Sequence, residues 1–289
     1  MMLGSGLAEL NGYPFDVRYS DGSVVRAAAA ADVAAGAYVY LSRLLSGFEP
    51  DIAIIVADRG DWESKTPYGL PYFNDDDDQI RPGILVMPAE RGDFWVGMGE
   101  DLRETSPHDY PKLLLTYPDG AGGLDLQPFF DLITIHELGH AFETLGNLKL
   151  PTFWLSEIFA NLALHAFVAT QQPESLNTLE VLSTVGAQSP RLDARMRAEG
   201  YTTLEDLEAH YTGGDNPMGP LNYVWYQYRW QRLAAAMFDA DGEEGLVRFW
   251  DFFRGADHPI PGEITAASLA PLLRTEVSEA LGRAVQEWR

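Results

Sequence analysis

Two long apolar stretches, residues 127 to 145 and 153 to 170, are joined by a connector of the type NLKLPT, and they constrain the fold more than anything else in this chain. Phe129, Phe130, Leu132, Ile133 and Ile135 in the first, and Leu155, Ile158, Phe159, Leu162 and Phe167 in the second, recur at helical spacing. Each stretch therefore reads as a helix buried in a core, with Gly146 as the stop of the first. A buried helix accommodates ionisable side chains only where they find partners. Yet the first stretch, through ITIHELGHAFETLG, carries His136, Glu137 and His140, and the second, through FWLSEIFANLALHAF, carries Glu157.

Positions four apart on a helix share a face one turn apart, so His136 and His140 can reach one ion while Glu137 projects beside them. Composition arithmetic puts the chance of an accidental HExxH in a chain with six histidines at about one in a hundred. The chain has no cysteine, so only His, Asp and Glu can be strong metal ligands. A catalytic zinc takes three protein ligands and keeps a fourth position for water. The metzincin extension is excluded, because it needs glycine at 143 and histidine at 146 where this chain has Glu143 and Gly146. An antiparallel return of the second helix instead brings Glu157 to the level of the histidines, as the oxygen ligand. Asn161, one turn after Glu157, is the candidate for orienting the ligands. His165, one turn further, reads as a core histidine, and Glu143 as a solvated helix residue.

Elsewhere, VVRAAAAADVAAGAYVYLSRLL at 24 to 45 reads as a helix ended near Gly47, and Asp51 to Asp58 and GILVM at 83 to 87 read as strands, the latter opened by the turn signal Pro82 and Gly83. Helical stretches at 174–186, 203–210, 221–238 and 243–254 follow. The expected fold is α+β: residues 1–126 as a mixed α/β lobe with a small sheet, and 127–289 as a mostly helical lobe that carries the metal ligands, the two packed around a shared cleft. The aspartates at 75 to 78 lack the alternating ligands and glycine of a calcium loop and read as a solvated loop, and GAGG at 120 to 123 lacks the lysine of a phosphate cradle and reads as a flexible link. The formal charge of −23 repels nucleic acid and anionic lipid, and no segment reaches the roughly 18 apolar residues of a membrane span. The expectation is a soluble, cytoplasmic protein.

HELGH followed by WLSEIFAN, with Trp154, Leu155, Glu157, Phe159 and Ala160 in register, resembles the gluzincin zinc peptidases, the group of thermolysin and aminopeptidase N. The resemblance covers residues 127 to 170 strongly and 220 to 254 weakly. It implies a thermolysin-like zincin fold, zinc held by His136, His140 and Glu157, and Glu137 as general base. It also implies a tyrosine or histidine that stabilises the oxyanion, for which GPLNYVWYQYRW offers Tyr223, Tyr226 and Tyr228, Tyr223 ahead of Tyr226 because it lies just after a helix start. The substrate would be a peptide or protein, aligned by addition to an edge strand such as GILVM. Other readings of the same ligands are a zinc-binding protein without turnover and a zinc hydrolase of non-peptide amides or esters.

Overall fold

The strands expected at 51–58 and 83–87 form the middle of a five-stranded sheet. The computed structural model describes residues 6–62, 68–74, 83–211, 218–255 and 264–288; the aspartate loop at 75–78 and the turn residue Pro82 lie outside the described residues. The chain is α+β and mostly helical, and it divides into two compact units, Met1–Asp101 with Tyr117–Gly146, and Leu102–Thr116 with Asn147–Arg289.

The first unit holds β1 (Ala8–Glu9), β2 (Asp16–Tyr19), β3 (Ile52–Ala57), β4 (Tyr72–Asn74) and β5 (Gly83–Pro88) in the order β1-β2-β3-β5-β4. β2, β3 and β5 run parallel, and β1 and β4 flank them antiparallel. Every residue of β3 and β5 is buried, which is why both read as unbroken apolar runs rather than alternating ones. Leu85 pairs with Ile54 on one side and Phe73 on the other. GILVM is therefore an interior strand with both backbone edges used, and the expectation of an edge strand there is corrected: the edge is the short β4.

The helix at 24–45 is α1 (Val24–Leu44), whose Ala27, Ala30, Ala31, Ala34 and Ala37 form a ridge of small buried residues. Just beyond it Ser46 and Gly47 take left-handed backbone conformations, and the Gly47 N–H donates to the Ser42 carbonyl at 2.8 Å. After α2 (Asp93–Thr105) and α3 (Tyr110–Thr116), the motif helix α4 (Gln127–Leu145) packs on α1, β4 and β5. These neighbours place α4 with the sheet, whereas the sequence division at 126/127 placed it with the helical lobe. Gly83 permits part of that approach, since a Cβ there would stand 2.9 Å from the Phe73 ring and 3.1 Å from the Leu145 methyl. The opposite set of sheet side chains, Ile55, Ala57, Ile84 and Val86, packs against Leu7, Trp62 and Tyr72. GAGG closes as a built turn: Asp119 accepts from the Ala121 and Gly123 N–H groups, and Pro118 bridges to Leu124.

In the second unit α5 (Phe153–Gln171) is the central helix, buried along almost its whole length. It packs on α6 (Leu176–Ala187), α8 (Leu204–His210), α9 (Pro220–Asp241) and α10 (Glu243–Arg254). Helices α7 (Pro190–Glu199) and α12 (Glu279–Gln286) lie against α9, and α11 (Ala266–Glu276) pairs with α12. Trp154, Phe159, Trp225, Trp230, Phe249 and Trp250 fill this core. Both α1 and α5 are long and apolar enough to cross a membrane by length and composition, which corrects the expectation that no segment is. For α5 the physical reason is its position: 78% of its most apolar window is buried inside the protein, and a helix enclosed on all sides needs no polar face.

Candidate metal centre

Helix α4 supplies the histidine pair. His136 is 5% exposed and Glu137 8% exposed, while His140 is partly buried one turn further on. The two Nε2 atoms face each other at 3.1 Å. At that distance either one neutral ring donates its Nε2–H to the other's nitrogen or both nitrogens face a shared cation. His140 Nδ1 is 3.3 Å from the Glu143 carboxylate. With its proton on Nδ1 donated to Glu143, the ring presents the Nε2 lone pair for ligation, the arrangement that orients metal-binding imidazoles. Glu143, expected as a solvated residue, instead meets the His140 ring, and its side chain is only 14% exposed. Gly146 caps α4 as expected, but the left-handed residue is Asn147.

Helix α5 supplies the carboxylate. Glu157 is 3% exposed in the second turn of the helix. The α5 N-terminus has no cap from its own Thr152; instead Glu208 of α8 accepts from the Trp154 N–H at 3.1 Å, satisfying an orphan donor at the positive end of the helix dipole. Burial raises the Glu208 pKa, against the lowering effect of the Trp154 and Phe153 N–H groups.

Around Glu157 the second unit builds a closed set of hydrogen bonds. The Tyr223 hydroxyl donates to Glu157 Oε1 at 3.0 Å, and Gln227 Nε2 donates to Glu157 Oε2 and to the Tyr223 hydroxyl, both at 2.6 Å. Asn161 Nδ2 donates to Gln227 Oε1 at 3.0 Å and to the Glu157 main-chain carbonyl at 2.8 Å. The Tyr223 ring is stacked on Tyr211 at 4.5 Å, and Tyr211 on Phe153 at 5.3 Å, which fixes the approach of the hydroxyl.

His136, His140 and Glu157 each offer one ligand atom, and these atoms lie within 4.8 Å of one another, so this buried group could hold a metal ion. The donor set is two imidazole nitrogens and one carboxylate oxygen, with no thiolate among them. Glu157 Oε1 accepts from Tyr223 and Oε2 from Gln227.

Tyr226 does not join this arrangement. It is fully buried, its hydroxyl donates to the Thr203 carbonyl at 2.7 Å, and its ring lies parallel to Trp288. Burial, the largest cause, drives its pKa far above the phenol value, so its proton stays in place. Asn161 serves Gln227 and the Glu157 main-chain carbonyl. His165 is a core residue, 1% exposed and 5.4 Å from the Phe238 ring. Sequence reasoning missed Gln227, Glu143 and Glu208. The signal for Gln227 was its place four residues after Tyr223, a polar side chain on the same helix face among aromatics; no local signal marks Glu208. Comparison of the chain with protein-family models, curated proteins and solved structures finds no match in any of the three.

Proposed function

We propose that the chain is a zinc-dependent peptidase of the gluzincin type, with a thermolysin-like catalytic fold, that hydrolyses a peptide bond with Glu137 as general base. The observation that carries this reading is the buried grouping of His136, His140 and Glu157, with Glu137 in the same helical turn as the histidines. When bound, zinc would supply the Lewis acidity that lowers the pKa of a water to about 7 and polarises a carbonyl. Glu137 takes the proton of the attacking water and returns it to the leaving amine. We assign the developing oxyanion to the Tyr223 hydroxyl, whose single proton rests on Glu157 Oε1 and would turn from there to the new oxygen; Tyr226 is committed to Thr203. Glu143 holds the His140 tautomer.

The test is cleavage of a mixed peptide library by the purified protein, with and without chelator, beside Glu137→Gln. The expected result is chelator-sensitive cleavage that falls about 10²–10⁴-fold in Glu137→Gln, with zinc content unchanged. Stoichiometric zinc without chelator-sensitive cleavage would overturn the peptidase in favour of a metal-binding protein or a hydrolase of other amides or esters. Full activity in Glu137→Gln would remove Glu137 as the base.

A further inference from the structure

We propose that Gln227 is a positioning residue that holds the metal ligand Glu157 and the Tyr223 hydroxyl as one unit, and that Asn161 sets the direction of its amide. The inference rests on the His136, His140 and Glu157 group binding a metal, and is independent of the reaction carried out there.

A glutamine amide has a donor end and an acceptor end of nearly equal shape, so its effect on a carboxylate depends on which way it faces. Turned over, Gln227 would set its oxygen 2.6 Å from Glu157 Oε2, a lone-pair repulsion in place of an attraction, and 2.6 Å from the Tyr223 oxygen, where it would draw the hydroxyl proton away from Glu157. Asn161 decides against that orientation. One of its Nδ2 hydrogens goes to the Glu157 main-chain carbonyl one turn back and the other to Gln227 Oε1, which leaves Gln227 Nε2 facing Glu157 and Tyr223. Five hydrogens then meet five acceptor positions: two from Asn161, two from Gln227 and one from Tyr223.

Three consequences follow. The carboxylate of Glu157 is held at both oxygens, one by a tyrosine and one by an amide, so its plane is set before any ion arrives. The Tyr223 hydroxyl accepts from Gln227 and donates to Glu157, so the direction of its single proton is set as well. And because Glu157 is only 3% exposed, a donor removed from it is not cheaply replaced by water. Partners of this kind, behind the ligand rather than on the ion, change metal affinity by about 10–100-fold when lost.

The experiment compares the full chain with Gln227→Met, Asn161→Ala, their double variant and Glu157→Ala. Gln227→Met keeps chain length and volume while removing both donors. The measurements are zinc affinity by competition with a chromophoric chelator, the visible spectrum of the Co²⁺-loaded protein, and the Tm of the chelated protein. Gln227→Met is expected to weaken zinc binding about 10–100-fold and to shift the Co²⁺ bands, with a chelated Tm close to the parent's. Asn161→Ala is expected to weaken binding by a smaller factor in the parent, and by none once residue 227 is Met, because it acts through that amide. Parent-like zinc affinity in Gln227→Met, where Glu157→Ala has lost it, overturns the positioning role and leaves the metal site standing. Parent-like affinity in Glu157→Ala overturns the metal site and this inference together. If Gln227→Met does not fold, Asn161→Ala decides: parent-like affinity and an unchanged Co²⁺ spectrum overturn the proposal.

Discussion

Replacing His165 by Asn should change how the stability of this protein depends on pH more than how stable it is. The imidazole is 1% exposed, beside the Phe238 ring and 3.5 Å from Gln231 Nε2. Burial lowers its pKa from 6.5 to about 4, against a smaller opposing effect of Asp239. The folded-state value lies below the unfolded one, so below pH 6.5 the unfolded chain takes up a proton that the native chain refuses. Stability is lost as pH falls from about 6.5 to about 4, and regained in the other direction. Linkage puts the loss from this one group at about 2 kcal/mol by pH 5 and about 3 kcal/mol by pH 4. An Asn side chain sets its amide oxygen where Nδ1 stands and has no proton to gain, but it leaves part of the ring volume empty, a cost of about 1–2 kcal/mol at every pH. The assay is urea unfolding followed by circular dichroism in chelator at pH 7.5 and pH 5. His165→Asn should be the less stable protein at the higher pH, and the difference should shift by about 2 kcal/mol in its favour at the lower one, closing or reversing the gap. Two proteins that lose stability in parallel between these pH values would refute the argument, because they would show that the native state admits the proton at no cost.

Gly186→Ala tests the contact of α6 with α9. A Cβ there would fall 2.1–2.6 Å from three atoms of the buried Tyr228 ring, so the clash should outweigh the helix propensity gain of about 1 kcal/mol and leave the protein about 1–2 kcal/mol less stable in urea unfolding; a gain in stability would mean the ring moves aside freely. Tyr226→Phe should cost about 1–2 kcal/mol of stability, by stripping the Thr203 carbonyl of its donor, and should leave zinc affinity unchanged; a fall in zinc affinity would return Tyr226 to the site.

The elements that sequence reasoning located are those with a strong local period or composition. The apolar runs of β3 and β5, the alanine ridge of α1 and the buried stripes of α4, α5, α6, α9 and α10 all stand close to where periodicity places them. What it missed is short or locally ambiguous. β1 and β4 have two and three residues, too few to show a period. α2 carries Gly97 and Gly99, and α11 has Pro271 inside it, residues that argue against a helix until tertiary packing overrides them. The stretch GILVM shows the same limit differently. An apolar strand announces burial, but whether it lies at the edge or in the interior depends on what pairs with it, and here that is β3 on one side and β4 on the other.

At the candidate metal centre the division is sharper. His136, Glu137 and His140 lie within one turn and a half of helix, so helical geometry alone puts them on neighbouring faces, and the sequence by itself determined that pair of imidazoles. The same is true of Glu143, one turn after His140, although its orienting bond to that ring was not read from the spacing. Everything around Glu157 was decided by tertiary structure. Tyr223 and Gln227 reach it from 66 and 70 positions away, and Tyr226, three residues from Tyr223 on the same helix, is taken by Thr203 instead. The physical reason is that a helix sets the angle between its own side chains, while the identity of the group facing each of them depends on how separate helices pack, and that packing is a property of the whole core.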